Sequence, residues 1–217
     1  ADAGNRYSAF DISVWFTEVA THGESLVLLV RGMALGDPLT RERNESQGLL
    51  SINTVSGEAN YLTRIEILHP KGKHEDYAKL GVGVLHNRYG AYPDPLDVNG
   101  TLIVAGREHL VAVDIASGAE KWRTEMPGLV TSLEHDSGTI VAQLGKMVVW
   151  STMEGDKVKT DGVAEGPYGF VAVDAASGQL KWQATEFKVD PTMAMAAAVD
   201  GGMLYGCDGE RLYALSL

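Results

Sequence analysis

Leu110–Trp122 reads LVAVDIASGAEKW, and Phe170–Trp182 reads FVAVDAASGQLKW. Nine of the thirteen positions are identical, and sixty residues (182 − 122) separate the two tryptophans. A match that dense at a fixed period marks a repeat architecture. Val111 and Val113 are β-branched, which suits a half-buried pleated surface. The Asp114 carboxylate accepts backbone N–H groups of a following turn, and Ser117-Gly118 closes that turn because glycine takes positive φ at little cost. The chain then reverses into a second strand, where Trp122 supplies a large ring for packing. The unit is strand, turn, strand, and each of its residues has a structural reason.

Two weaker copies follow the same template. Leu49–Tyr61, LLSINTVSGEANY, aligns at an offset of 61 (122 − 61), with Asn53 for Asp114, Gly57 for Gly118 and Tyr61 for Trp122. Arg211–Leu217, RLYALSL, matches only the first strand, with Ala214 at the place of Ala172.

Working outward, the rest reads as short strands between turn signals, which is an all-β pattern. Strand alternation starts at Phe10–Phe16, His22–Ser25 is a turn, and Leu26–Arg31 is an apolar strand. Asn99-Gly100 between extended segments is a hairpin signal. Asp136–Gly138 and Asp200–Gly202 are further turns, and Lys146–Thr152 adds an apolar strand. Met193–Val199 has a helical composition, but its position in the repeat expects a strand. Three polar excursions interrupt the pattern: Gly32–Gln47, His69–Tyr92 and Glu154–Tyr168. They are expected between the second and third strands of their units, although the second can instead precede a first strand.

The pattern L-V-A-V-D-x-x-S-G-x-x-x-W resembles the repeat of quinoprotein-like β-propellers, the PQQ-like repeat. Ala112, Asp114, Gly118 and Trp122 carry the resemblance, as do Ala172, Asp174, Gly178 and Trp182; Gly57 and Tyr61 carry it in the weaker copy. It implies an all-β propeller of four-stranded antiparallel blades, about four in this chain, with each tryptophan docking one blade onto the next. The expected domain is a single propeller or partial propeller over 1–217. Its blades are at roughly 9–68, 93–127 (after an insertion at 69–92), 128–187 and 188–217. Two arrangements stay open: a closed four-bladed ring whose last strand comes from somewhere in Tyr7–Val14, or part of a seven- or eight-bladed ring completed by another chain or by missing blades.

Composition bounds the function. The 217 residues are 45% hydrophobic and 22% charged, as in a globular chain. A net charge of −11 argues against nucleic-acid binding, which needs a basic footprint. No apolar run reaches the roughly 18 residues of a membrane-spanning helix. Cys207 is the single cysteine; it is expected to be a small buried apolar residue, and it excludes an intrachain disulfide. The absence of an initiator methionine or signal peptide expects a processed or excised chain.

A quinone-dependent dehydrogenase of the resembled family implies a vicinal cysteine pair and calcium-ligating Glu, Asn and Asp; one cysteine excludes the pair, and no calcium set is assignable. His69 and His74 stand five apart, followed by Glu75-Asp76, with His86, Arg88, Tyr89 and Tyr92 further on. Their spacing is too loose for a recognisable zinc motif. They are read as a candidate binding loop. Asp156–Asp161 has lysines where a calcium loop needs oxygen ligands, so it is read as a charged turn. No G-x-S-x-G nucleophile elbow occurs. Asn44-Glu45-Ser46 and Asn99-Gly100-Thr101 fit the glycosylation sequon. No catalytic, cofactor-binding or metal-ligating residues are assigned.

The reading is therefore a non-catalytic binding or scaffold propeller, periplasmic or extracellular, whose inter-strand loops hold a protein partner. The resemblance to outer-membrane assembly propeller lipoproteins implies the same. The competing reading is a fragment of a pyrroloquinoline quinone-dependent dehydrogenase or another propeller enzyme.

Overall fold

The structure, a computed structural model, describes residues 12–35, 43–68, 93–106, 108–154, 157–187, 196–207 and 211–217. All secondary structure among them is β. The chain forms two compact units: Ala1–Val82 with Ile115–Ala119, and Gly83–Asp114 with Glu120–Leu217.

The first unit holds one antiparallel sheet in chain order, β1 (Ile12–His22), β2 (Ser25–Leu35), β3 (Arg43–Asn53) and β4 (Ala59–Leu68). Side chains alternate between faces along a strand, so Val27, Leu29, Leu49 and Ile65 share one face and are almost fully buried. Gly23 takes a positive φ of 58° in the tight β1–β2 turn, where His22 pairs with Ser25. Two expectations are corrected here. Ile12–Val14 is not a spare strand for ring closure: Ile12 pairs with Ala34 and Val14 with Gly32, so this stretch is already committed as the first strand of its own sheet. Residues 7–11 lie outside the described residues. The excursion expected at Gly32–Gln47 is largely strand, because the β2–β3 ladder continues to the pair Leu35↔Arg43.

The second unit holds three antiparallel sheets, each a meander in chain order. The first is β5 (Leu96–Val98), β6 (Thr101–Ala105), β7 (His109–Asp114) and β8 (Glu120–Glu125). The second is β9 (Val130–Asp136), β10 (Thr139–Glu154), β11 (Lys157–Asp174) and β12 (Leu180–Ala184). The third has three strands, β13 (Ala196–Asp200), β14 (Met203–Cys207) and β15 (Leu212–Ser216). The four sheets are the blades of an all-β propeller fold. The first two strands of each of these three sheets are joined by a two-residue turn with both central residues at positive φ: Asn99-Gly100 (51°, 78°), Ser137-Gly138 (50°, 76°) and Gly201-Gly202 (58°, 77°). That geometry matches the right-handed twist of the flanking strands, and Asn-Gly, Ser-Gly and Gly-Gly are the residues that tolerate it.

The core of this unit lies between successive sheets. Ile103, Ala105, Leu110 and Ala112 on one sheet pack against Ile140, Ala142, Val171 and Val173 on the next. Val141 and Phe170, on the opposite face of that sheet, pack against Leu204, with Val199 and Leu215 beside it. Each fully buried aliphatic or Phe side chain contributes about 1.5–3 kcal/mol, so the stacked faces dominate the stability of the unit. Cys207, at the end of β14, is half-buried, not buried as expected.

The excursions have an unequal fate. Residues 69–92 precede the first strand of their sheet, which was the alternative placement. Glu154–Tyr168 is not a loop: β10 and β11 run on past a register shift at Gly145 (φ 88°) and stay paired from Lys146↔Glu165 to Glu154↔Lys157. Lys157–Asp161 is therefore strand, not the charged turn expected at Asp156–Asp161. Neither β9 nor β12 pairs with this extension, so it is a two-stranded ribbon with both outer edges open among the described residues.

The turn glycines make a stability test. Gly178 (φ 71°) lies under the Trp122 ring, and a Cβ there would come within 2.5 Å of it, whereas a Cβ on Gly57 (φ 76°) meets nothing within 4 Å. Gly57→Ala should cost only the left-handed strain, about 1–2 kcal/mol. Gly178→Ala should cost a further 1–3 kcal/mol or so from overpacking, read as a larger drop in urea midpoint.

Candidate functional site

The repeat residues build one turn geometry in the first and third copies. In the first copy Asn53 Oδ1 accepts the N–H groups of Val55 and Ser56 at 2.9 Å each, and Gly57 N–H donates to Asn53 O at 2.8 Å. In the third copy Asp174 Oδ1 accepts from Ala176 N at 3.2 Å, Ser177 N at 2.8 Å and Ser177 Oγ at 2.7 Å, and Gly178 N–H donates to Asp174 O at 2.8 Å. Asn53 thus does the work of the aspartate, because the turn needs an acceptor two and three residues ahead, not a charge. Ala112 pairs with Trp122 and Ala172 with Trp182, and the same register shift follows each pair.

The aromatic residue then reaches a neighbouring turn. Within the first unit, Tyr61 Oη donates to Ile115 O at 2.8 Å and Thr63 Oγ1 to Gly118 O at 2.5 Å. Within the second, Trp122 Nε1 donates to Ala175 O at 3.1 Å and Thr124 Oγ1 to Gly178 O at 2.6 Å. The ring lies where a glycine Cβ would be, so Gly118 sits under Tyr61 and Gly178 under Trp122. Trp182 departs from this. Its Nε1 is buried with no hydrogen-bond partner, Ala184 stands where Thr63 and Thr124 stand, and the described part of the three-stranded sheet offers no turn to receive it.

A second shared device was missed in the sequence. The residue before each aromatic ties its strand to the hydroxyl that opens the second strand of its sheet. Asn60 Nδ2 donates to Ser25 Oγ at 2.9 Å, Lys121 Nζ to Thr101 Oγ1 at 2.8 Å, and Lys181 Nζ to Thr139 Oγ1. Lys121 also pairs with Asp114 at 3.1 Å. The lysine of K-W was the visible signal; its hydroxyl partner lies 20 or 42 residues earlier in the chain.

Two aspartates in the turns are held below the usual carboxylate range. For Asp174 the hydroxyl and backbone N–H of Ser177 are the main causes. For Asp136 the main cause is Gly202 N–H, which donates to Oδ2 at 2.6 Å and so joins the β9–β10 turn to the β13–β14 turn. The Arg123 guanidinium, in a two-pronged contact at 2.7 and 3.1 Å, does the same to Glu120.

His69, His74, His86, Arg88, Tyr89 and Tyr92, the candidate binding loop, lie outside the described residues. Among the described residues no group of three or more His, Cys, Asp or Glu could hold a metal ion, and no helix is long and apolar enough to cross a membrane. Among the described residues, the β10–β11 ribbon keeps both outer edges open.

The family model of the outer membrane protein assembly factor BamB matches residues 85–217. No curated protein sequence matches the chain. Among solved structures the chain is similar to BamB from Moraxella catarrhalis, at 11% identity and a TM-score of 0.47, covering 90% of this chain and 59% of that one. It is similar to Sqt1 from Saccharomyces cerevisiae at 10% identity and a TM-score of 0.41, covering 94% and 59%. It is also similar to a europium-containing methanol dehydrogenase at 12% identity and a TM-score of 0.34, covering 82% and 28%. The chain thus spans at most 59% of the length of these three.

The lowered carboxylates set an acid limb. A carboxyl whose native pKa is depressed stabilises the fold above its unfolded value of about 3.9 and loses that contribution as pH falls through the native one. Acid unfolding should therefore steepen below about pH 4. Asp174→Asn should fold as well as the parent at pH 7, as Asn53 does in its own turn, and show a shallower acid limb. Asp174→Ala should lower the urea midpoint at both pH values. Circular dichroism against pH checks both.

Proposed function

The chain belongs to the family of the outer membrane protein assembly factor BamB, and from that premise we propose that it is a non-catalytic scaffold propeller that holds a protein partner. Its four sheets are read as one propeller domain, with blades at roughly 9–68, 93–127, 128–187 and 188–217, completed by another chain or by further blades. The observation that carries the partner reading is the β10–β11 ribbon. The equivalent strands β6 and β7 end at the repeat, at Ala105 and His109, whereas β10 and β11 continue for another nine pairs, from Lys146↔Glu165 to Glu154↔Lys157. Nothing in the blade needs that extension. Two open ladder edges offer backbone N–H and C=O groups to an added strand, which is a recurrent way of holding an extended peptide.

The chemistry of the described residues supports binding in preference to catalysis. The polar groups in the repeat are engaged in turns and ties, and the shifted carboxylates are explained by those same bonds. The net charge of −11 favours a partner with a basic face. The family premise also supports a periplasmic location.

Replacing Lys146–Glu165 with a short turn of the kind that joins β6 to β7 should leave the unfolding midpoint within about 1 kcal/mol of the parent, because the ribbon lies outside the stacked core. Binding to the partner captured by the intact chain from the bacterial envelope should weaken at least tenfold. Equal capture by the shortened protein would exclude the ribbon as the binding element.

A further inference from the structure

The two open edges of the β10–β11 ribbon differ in sequence. Along β10, Met147–Met153 reads MVVWSTM, seven residues without a charge, proline or glycine, set between Lys146 and Glu154. Along β11, Lys157–Glu165 carries Lys157, Lys159, Asp161 and Glu165 and is interrupted by Gly162. Charges keep an edge strand from pairing, whereas an uncharged run rich in β-branched and aromatic residues favours a further strand. β9 pairs with β10 only as far as Leu144, so a strand added along Lys146–Glu154 takes up the line that β9 leaves.

The β10 edge is also complementary to itself. Lys146 and Glu154 stand four residues on either side of Trp150. When two copies of this edge lie antiparallel about Trp150, Lys146 of each is directly opposite Glu154 of the other. Met147 then falls opposite Met153, and Trp150 opposite Trp150. Opposite charges and aromatic pairs at directly opposed positions stabilise an antiparallel ladder. The β11 edge fails the same test: laid antiparallel about its own midpoint, it sets Asp161 against Asp161, and like charges so placed destabilise. The faces agree as well. Residues paired across a ladder share a face, so the register puts every charge of the nine ribbon pairs on one face and Met147, Val149, Met153 and Val158 on the other. Two-fold pairing about Trp150 keeps the uncharged face on one side of all four strands.

We infer that the β10 edge of the ribbon is a self-association site whose occupant is the same edge of a second copy of this chain. Two ribbons thereby form one four-stranded antiparallel sheet in the order β11, β10, β10, β11. The contact uses the same patch on both copies, so it closes at two. Both β11 edges stay on the outside of that sheet, open to a different chain. This inference rests on the ribbon's backbone pairing and not on its capture of an envelope partner.

The test is the mass of the purified chain alone, so success or failure of envelope capture does not enter it. An edge about 30 Å long makes a small interface and a weak dimer. Sedimentation equilibrium should therefore cover a hundredfold concentration range that reaches about 0.5 mM. The expected result is a rise from 23.3 kDa to twice that value, with nothing larger. Lys146→Glu sets Glu against Glu at both ends of the pairing, and Glu154→Lys sets Lys against Lys; each variant alone should associate roughly tenfold more weakly than the parent. An equal mixture of the two restores opposite charges at both ends, and it should associate about fivefold or more tightly than either variant alone. Inside each ribbon, position 146 still faces Glu165 and position 154 still faces Lys157. That internal cost is the same in the mixture, so the recovery reads the interface. Lys159→Glu makes an equal charge change on β11 and should associate like the parent. The shortened-ribbon protein should stay at 23.3 kDa. A parent chain that stays at that mass throughout overturns the inference and leaves the edge to an unrelated extended peptide. So does a mixture no tighter than its components, an equal loss in Lys159→Glu, or a shortened-ribbon protein that associates like the parent.

Discussion

The structure depends on one contact: an aromatic side chain laid on a glycine in a neighbouring turn, with its polar end on a carbonyl of that turn. The contact has three parts that must agree. The glycine must lack a Cβ, because the Tyr61 or Trp122 ring occupies that place. It must also take positive φ, which glycine does without strain. And the turn must be rigid, so that Ile115 O or Ala175 O stays where the phenol or indole can donate to it. In the turn that receives Trp122, the Asx-type bonds to Asp174 supply that rigidity. Removing one part weakens the others, which is why turn and aromatic recur together thirteen residues at a time.

What recurs in the chain answers to packing, and what varies is left for function. The threonine two residues beyond the aromatic and the ties of Asn60, Lys121 and Lys181 to hydroxyls add hydrogen bonds to the same contact. A buried or half-buried hydrogen bond of this kind contributes about 0.5–1.5 kcal/mol net, less than the apolar faces it holds in register. The ribbon after Gly145 contributes to none of this. It branches from the blade where the register shifts, and its presence in one sheet and not in β5–β8 is a difference that the fold does not require.

Much of this was legible in the sequence because its physics is local. The D-x-x-S-G turn, the Asn99-Gly100 hairpin and the two tryptophans each depend on residues within a few positions, so spacing alone reveals them. Only one strand of the ribbon was legible, at Lys146–Thr152. Glu154–Tyr168 contains Gly155, Gly162, Gly166 and Pro167, which read as loop, yet Gly162 pairs with Val149 in a regular ladder. There the strand is imposed by its partner, not by its own propensity. The lysine ties were hidden for another reason: their two ends are 20 and 42 residues apart, and only the strand pairing brings them together. Of the stretch Tyr7–Val14, left open as a ring-closing strand, Ile12–Val14 instead joins its own sheet, because a single strand-like stretch does not say which sheet edge it will join. Of the candidate site, the turn residues could be read as structure, while of the ribbon only the strand at Lys146–Thr152 could be read and its partner strand could not.

The third docking shows where the repeat's logic loosens. Trp182 keeps the ring and its pairing with Ala172, but its N–H is buried without an acceptor and Ala184 has replaced the threonine. A buried donor left unpaired costs about 1–3 kcal/mol, and the lost hydroxyl removes a further bond. The sheet β13–β15 is therefore held by the Phe170 cluster, against which Trp182 packs without a hydrogen bond from its N–H, and by Asp136 to Gly202, and it has one strand fewer than the other sheets. What holds this sheet is apolar contact and one carboxylate bond, in place of the donor-to-carbonyl latch of the other two dockings.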